Sequence, residues 1–443
     1  MRFLPLSLAA TTLIGLLPVL GHASLTVWND PTPSALAPFA GQANSVADLA
    51  GSDIMIYGHA PRAMTLPSSR GPRYYPKAGF TSAALVVSAT PQQVKQTLSN
   101  YAGYVGLFPT LTSAKTIEQQ GNISQVKYHI HVPVPIPLLS FSEDVVMQHQ
   151  LTDNSLSTLL IDSPIQYGQG KFEWFALPNG KTLVTLTQWG DLNEPKGFVI
   201  STVFKAMPEI KSAIPSSVNA FVLESLRRRF MPETRLPAAQ SVANIVPVLD
   251  YSDAQMNTIQ RLIDQSKTPV VFTHVPRQMQ TSKRNENMHF VTSITTLNAP
   301  IAKTQSALAD PRSYTKMLRQ VRRVESTTLP NDQGQDSEIH VGMGLGVISI
   351  PFKLHMRFRN ESDHAVRYWA NGGDIEFMQG RMRFEAINAK QTRVIMTSAG
   401  KVGDDAPFLL KIGRSLPYSD FLPTVGTGPI LFEKASRFLQ GKS

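Results

Sequence analysis

The chain contains no cysteine. That excludes a disulfide framework, a thiolate nucleophile and any cysteine-ligated metal, so each folded unit must stand on its apolar core. No G-x-S-x-G elbow occurs, which leaves serine-hydrolase chemistry without support. Beyond the first 20 residues no stretch is long and apolar enough to span a bilayer. Charge is sparse as well: 17% of residues are charged against 42% hydrophobic, a globular balance. The net charge of +10 is scattered along the chain. Its main cluster, Arg227-Arg228-Arg229, reads as a solvated helix C-terminus rather than a binding patch. Nucleic acid is therefore not expected as a partner, whereas an anionic membrane surface is a possible peripheral contact. No cofactor is expected. Gly342-Met343-Gly344-Leu345-Gly346 lacks the lysine and serine of a phosphate-binding loop and reads as a bulged loop.

What is present begins with an export signal. Arg2 precedes an apolar run from Phe3 to Leu20, and Gly21-His22-Ala23 offers small residues before Ser24. Residues 1–23 read as a cleaved signal peptide, and with no cysteine the expected compartment is a bacterial periplasm. The remaining length suits two domains.

Internal repetition defines them. Ile56 to Met64 and Val271 to Met279 share H-x-P-R-x-M after a short apolar run. Gln169 to Gly190 matches Gln379 to Gly400 at a constant offset. A helix with an aromatic exit, Ser88 to Leu111, has a cruder copy at Leu297 to Val321. Thr90, Pro91 and Gln93 form a capping box with proline at the first helical position. The expected layout is an extension over 24–53, a first domain over 54–230, a linker with a short helix over 231–268, and a second domain over 269–441.

Phe172, Trp174 and Ala176 alternate with Lys171, Glu173 and Phe175, and Met382, Phe384 and Ala386 repeat the pattern, so both copies carry half-buried antiparallel strands. Pro178-Asn179-Gly180 makes the turn, and Val184 and Leu186, matched by Val394 and Met396, share the inward face. Further strands are expected at Ser124–Val132, Ser142–Leu151 and Leu156–Ile161, then at Glu338–Val341, Phe352–Arg359 and Ala365–Ala370. Each unit ends in helix. Ser216 to Phe230 is capped by Ser216 or Ser217 and carries Val218, Phe221, Val222 and Leu226 on one stripe. A shorter helix starts at Pro429 and carries Phe432.

Ala89 to Val94, Asn100 to Pro109 and the Gly170 to Leu186 hairpin resemble the START-like, or SRPBCC, superfamily of polyketide cyclase and coenzyme-Q-binding type. The resemblance implies an α+β fold: two helix-grip domains, each a curved antiparallel sheet wrapped around a long C-terminal helix and an apolar cavity. Candidate ligand-binding residues are then Tyr104, Phe108, Phe172, Trp174, Val184, Leu186, Phe221 and Val222, with Met382, Phe384, Val394 and Met396 in the second unit. Tyr104 and Phe108 are candidate gate residues. The second unit replaces Phe108-Pro109 by Leu318-Arg319, so the first is the better candidate for holding a ligand.

Two polar groupings compete with that reading. His129 and His131, with Glu143 or Asp144, have the spacing of a weak zinc site, which polar residues on an outer sheet face share. His59 and Arg62, repeated as His274 and Arg277, are either an acid/base pair or anchors for the entry segment. Without a catalytic constellation the expectation is a non-enzyme that binds or transfers a lipid, a sterol-like molecule or a quinone. The alternatives are a polyketide-type cyclase/aromatase, drawing on His129 or Glu173, and an envelope interaction protein with no ligand.

Overall fold

The computed structural model describes Leu25 and the chain from Trp28 to Lys442, apart from residues 137–138, 197–200, 202–203, 206–207, 233–245, 247, 281–284, 331–332, 346–347, 362–363, 376, 404–405, 407–413 and 415–416. The signal-peptide reading and part of the expected linker lie outside the described residues. Among the described residues no helix is long and apolar enough to cross a membrane.

The N-terminal half opens with helix α1 (Ala43–Ala50), strand β1 (Ile54–Gly58), a hairpin of β2 and β3 (Arg62–Leu66, Arg73–Ala78) and β4 (Thr81–Val87). Helices α2 (Pro91–Ser99) and α3 (Tyr104–Leu107) follow. A meander comes next: β5 (Leu111–Gln120), β6 (Ile123–Ile136), β7 (Leu139–Leu151), β8 (Ser155–Asp162), β9 (Gly168–Ala176) and β10 (Thr182–Gly190). Helix α4 (Ile210–Phe230) closes the half. After α5 (Asp253–Ser266) the order recurs as β11 (Val270–Thr273), β12 and β13 (Arg277–Gln280, Asn285–Met288) and β14 (Val291–Leu297). Helices α6 (Ile301–Ala309) and α7 (Tyr314–Met317) precede β15 (Val321–Thr328), β16 (Gly334–Leu345), β17 (Ile348–Glu361), β18 (Ala365–Gly373), β19 (Gln379–Asn388) and β20 (Gln391–Ala399). Helix α8 (Leu422–Leu439) ends the fold.

The two halves share one antiparallel sheet of 16 strands, ordered β15-β16-β17-β18-β19-β20-β14-β11-β1-β4-β10-β9-β8-β7-β6-β5. The seam is the pairing of Ile54, Met55 and Ile56 with Thr273, Phe272 and Val271. Both seam strands are buried on both faces, which is why they read as unbroken apolar runs. On one face Ile54, Ile56 and Val271 pack with Leu223 and Leu226 of α4 and Val425 of α8. On the other, Met55, Tyr57, Val270 and Phe272 pack with Val46 and Leu49 of α1 and Ile259, Leu262 and Ile263 of α5. The N-terminal extension and the linker helix thus cover the seam.

Both long helices differ from expectation. Helix α4 begins at Ile210 and runs through Pro215, and α8 begins at Leu422 and runs through Pro429. Each proline removes one N–H from the ladder. Packing outweighs that loss: Gly426 of α8 lies where an added Cβ would stand 3.0 Å from the Ala213 methyl of α4. Gly428 faces β14 so closely that an added Cβ would meet the Ser293 side chain. Gly428→Val is expected to lower unfolding free energy by about 1–3 kcal/mol through overpacking, read from urea melts. An unchanged midpoint would show that α8 can lift off the sheet freely.

The repeated histidines are anchors. His59 Nε2 lies 2.7 Å from Ser82 Oγ, which lies 2.6 Å from Thr187 Oγ1. His274 Nε2 lies 2.7 Å from Thr292 Oγ1, itself 2.7 Å from Thr397 Oγ1. Each row ties the end of a seam strand to the next two strands of the sheet, and all six side chains are buried. His274 Nδ1 also meets Asp53 at 2.8 Å, across the seam.

Candidate functional site

Period-two alternation puts one side chain in two from each meander strand on the α4 side of the sheet. There Tyr128 and Ile130 of β6, Met147 and His149 of β7, Thr158 and Leu160 of β8, Gly170 and Phe172 of β9, and Leu186 and Gln188 of β10 line a cavity of about 310 Å³. Tyr104 and Phe108, from α3 and its exit, and Val218, Phe221 and Val222 of α4 complete the wall.

Of the first-half residues expected to touch ligand, Tyr104, Phe108, Phe172, Leu186, Phe221 and Val222 stand around this cavity. Trp174 and Val184 do not, and that part of the expectation is corrected. Both pack against Val94 and Leu98 of α2, and Trp174 Nε1 donates to the Asp153 carbonyl at 3.1 Å. Alternation placed them on the correct face, but α2 covers that end of the sheet. Met382, Phe384, Val394 and Met396 are packed with one another and with Phe358, Tyr368, Leu431 and Phe432.

Tyr104 and Phe108 are held rather than free to swing. The Tyr104 hydroxyl donates to the Leu98 carbonyl at 2.7 Å, its ring stacks on Tyr128 at 5.9 Å, and Phe108 meets it edge-on at 5.1 Å. The start of this segment follows from the capping box, with Thr90 N donating to Gln93 Oε1 at 2.8 Å and Gln93 N to Thr90 Oγ1 at 3.3 Å. Across the cavity, Phe221 rests against Tyr418 of the second half at 5.1 Å between ring centroids.

The wall carries one polar cluster. His149 Nε2 is 2.8 Å from the Tyr128 hydroxyl and Nδ1 is 2.9 Å from Thr158 Oγ1. Tyr101 stacks on the imidazole at 4.7 Å. Burial pushes the His149 pKa down to about 3, so the ring is neutral, and burial pushes the Tyr128 phenol up, so it keeps its proton. A neutral imidazole between two hydroxyls donates from one nitrogen and accepts at the other. Gln188, three strands from His149, presents a buried Nε2 with no partner among the described residues. His149 was missed at the sequence level, although Val145-x-Met147-x-His149 places it on the inward face by alternation.

The polar residues weighed from sequence point elsewhere. His129 is half-buried on the opposite face, with Nδ1 2.7 Å from Asp144 and Nε2 2.8 Å from Ser142 Oγ. Glu173 accepts from Ser34 Oγ at 3.0 Å and from the Ala35 N–H at 2.9 Å, fixing the N-terminal extension to the outer face. Neither can serve as an acid/base group inside the cavity.

No family model matches the chain, and no curated protein matches it. Solved structures similar to it include the di-domain ARO/CYC BexL from the BE-7585A biosynthetic pathway, at 11% identity and a TM-score of 0.25, covering 81% of this chain and 97% of that one. The di-domain ARO/CYC StfQ from the steffimycin pathway is 9% identical with a TM-score of 0.25, covering 82% and 98%. A STAR-related lipid transfer protein fragment from Xanthomonas axonopodis is 9% identical with a TM-score of 0.26, covering 34% and 86%. The expectation of a non-enzyme stands against two of these names: the two di-domain structures, which span most of this chain, are aromatase/cyclases by name.

Proposed function

We propose that the N-terminal unit, residues 54–230, holds a hydrophobic small molecule in its helix-grip cavity and polarises a carbonyl of it by hydrogen bonding, in chemistry of polyketide cyclase/aromatase type. The observation that carries this reading is the neutral, buried His149 held between two hydroxyls in an otherwise largely apolar wall. Burying an apolar ligand there contributes about 25 cal/mol per Å². When His149 Nε2–H donates to the Tyr128 oxygen, the Tyr128 O–H is left to donate to a ligand carbonyl. Thr158 in turn donates to Nδ1. This polarises the carbonyl as the electrophile that an enol of the ligand, supplied by the ligand's own keto–enol tautomerism, attacks in ring closure, the enol hydroxyl proton ending on the new alkoxide. In the same proposal the chain is exported by residues 1–23, and its positive charge allows peripheral contact with an anionic membrane.

A second reading keeps the cavity and drops the chemistry: a carrier of a lipid, sterol-like molecule or quinone. His149→Phe separates the two. It keeps the apolar wall, so binding of N-phenyl-1-naphthylamine, a neutral hydrophobic probe, is expected to stay within about threefold. Cyclisation of a short poly-β-ketone thioester is expected to fall by about a hundredfold or more. Equal turnover by wild type and His149→Phe would remove the catalytic role and leave the carrier.

A further inference from the structure

The two halves carry the same strand register, so their side chains can be compared position by position. In the first, His149 pairs with Thr158, Thr158 with Gly170, and Gly170 with Gln188. In the second, Phe358 pairs with Tyr368, Tyr368 with Gly380, and Gly380 with Ser398. Thr158 and Tyr368 are therefore equivalent, as are His149 and Phe358, and Gly170 and Gly380. Counting on along β6 and β16 makes Ile339 the counterpart of Tyr128.

The consequences differ sharply. Over Gly380 lies the Tyr368 ring itself, so close that an added Cβ would collide with it. Tyr368 stacks on Phe358 at 5.8 Å, and both are buried with Ile339, Met356 and Met382. Over Gly170 no ring from β8 intrudes: the nearest groups to an added Cβ are the Thr187 carbonyl and Gln188, at 3.3 and 3.4 Å. Gly170 and Thr158 instead form part of the cavity wall.

We infer that Thr158 is the residue that sets the cavity's depth and so its ligand specificity, and that the second half is the same site filled by its own Tyr368 and Phe358. The short threonine leaves the floor over Gly170 open, whereas a tyrosine at that position lies down on the glycine and replaces the ligand with a side chain. Ligand binding is thereby confined to the first half. The second half meets the site through Tyr418, which packs against Phe221 and has its hydroxyl 3.0 Å from Ser225 Oγ.

This rests on the proposal that the first cavity binds a hydrophobic molecule, and the experiment separates the two. N-phenyl-1-naphthylamine is titrated into the full chain, into His149→Phe/Thr158→Tyr, which copies the second-half pair into the first, and into Phe358→His/Tyr368→Thr, which does the reverse. Wild type is expected to bind one equivalent. The first double variant should lose about tenfold or more in affinity. The reverse variant should gain a second equivalent. If wild type binds nothing, the cavity proposal itself fails, and this inference with it. If wild type binds but the first variant binds as tightly, or the reverse variant gains no second site, the role of Thr158 and Tyr368 is overturned while the cavity proposal stands. Should one variant fail to fold, the other still decides.

Discussion

Arg227→Ala is expected to cost about 3–5 kcal/mol of unfolding free energy, the largest effect of any single substitution considered. Arg227 is fully buried at the junction of the halves. Its Nε donates to Glu224 Oε2 at 2.8 Å, its Nη1 to the Thr273 carbonyl and its Nη2 to the His274 carbonyl, both at 3.3 Å. Nη2 also lies 2.9 Å from His289 Nε2. Burial alone would push the Glu224 carboxyl up, but Arg227, His289 and Arg228 outweigh it and hold the carboxyl below its usual range. Removing the guanidinium leaves Glu224 Oε2 without its buried charged donor, although Arg228 still holds Oε1, and takes one donor from each of two carbonyls. The measurement is a urea melt followed by fluorescence, with Glu224→Gln/Arg227→Met as companion. Neutralising the carboxylate together with its partner should restore part of the loss. A cost below about 1 kcal/mol for Arg227→Ala, the size of an exposed ion pair, would mean the cluster does not tie the halves together. Arg228 and Arg229 contribute differently. Arg228 bonds Glu224 Oε1 at 2.7 Å and lies over the Tyr418 ring, while Arg229 is exposed.

Acid should unfold this protein earlier than its carboxylates alone would require. Burial lowers the His149 pKa to about 3, and burial with the nearby Arg62 charge lowers that of His59 to about 4, against about 6.5 in an unfolded chain. Below pH 6.5 the unfolded state takes up protons that the folded state refuses, so stability is complete above 6.5 and falls as the pH drops towards 4. Each histidine then costs about 2 kcal/mol at pH 5, or about 4 kcal/mol together. His289 moves in the same direction, again chiefly by burial. Carboxylates held low, such as Glu224 and Asp420, lose stability only further into the acid range. Urea midpoints at pH 7.5, 6 and 5 should decline steadily, and His149→Phe should remove about 2 kcal/mol of the loss at pH 5. A midpoint that stays level from pH 7.5 to 5 would contradict the burial of both rings.

Much of the architecture was legible in the residues because it rests on local rules. The Thr90 capping box, the Asn179-Gly180 turn with both φ values near 60–70° and the alternating hairpin depend on neighbours in sequence. The proline-containing helices misled for the same reason. A proline within a helical pattern reads locally as a start, and only the close contacts of Gly426 and Gly428 show why α8 continues through it. Arg227 looked like one of three solvated arginines because nothing local distinguishes it from its neighbours. Its burial depends on Thr273, His274 and His289, some 46 to 62 residues away.

By itself the sequence determined the repeated unit, its strand alternation and the inward-facing sides, since periodicity acts over a few residues and survives in both copies. Only the tertiary structure decided that the two units share one sheet, that α2 covers Trp174 and Val184, and that the corresponding floors differ. The last point turns on register. Thr158 and Tyr368 occupy the same place on the sheet, and whether that place is open or filled depends on how one side chain lies over a glycine of the adjacent strand, a packing outcome that no short-range pattern encodes.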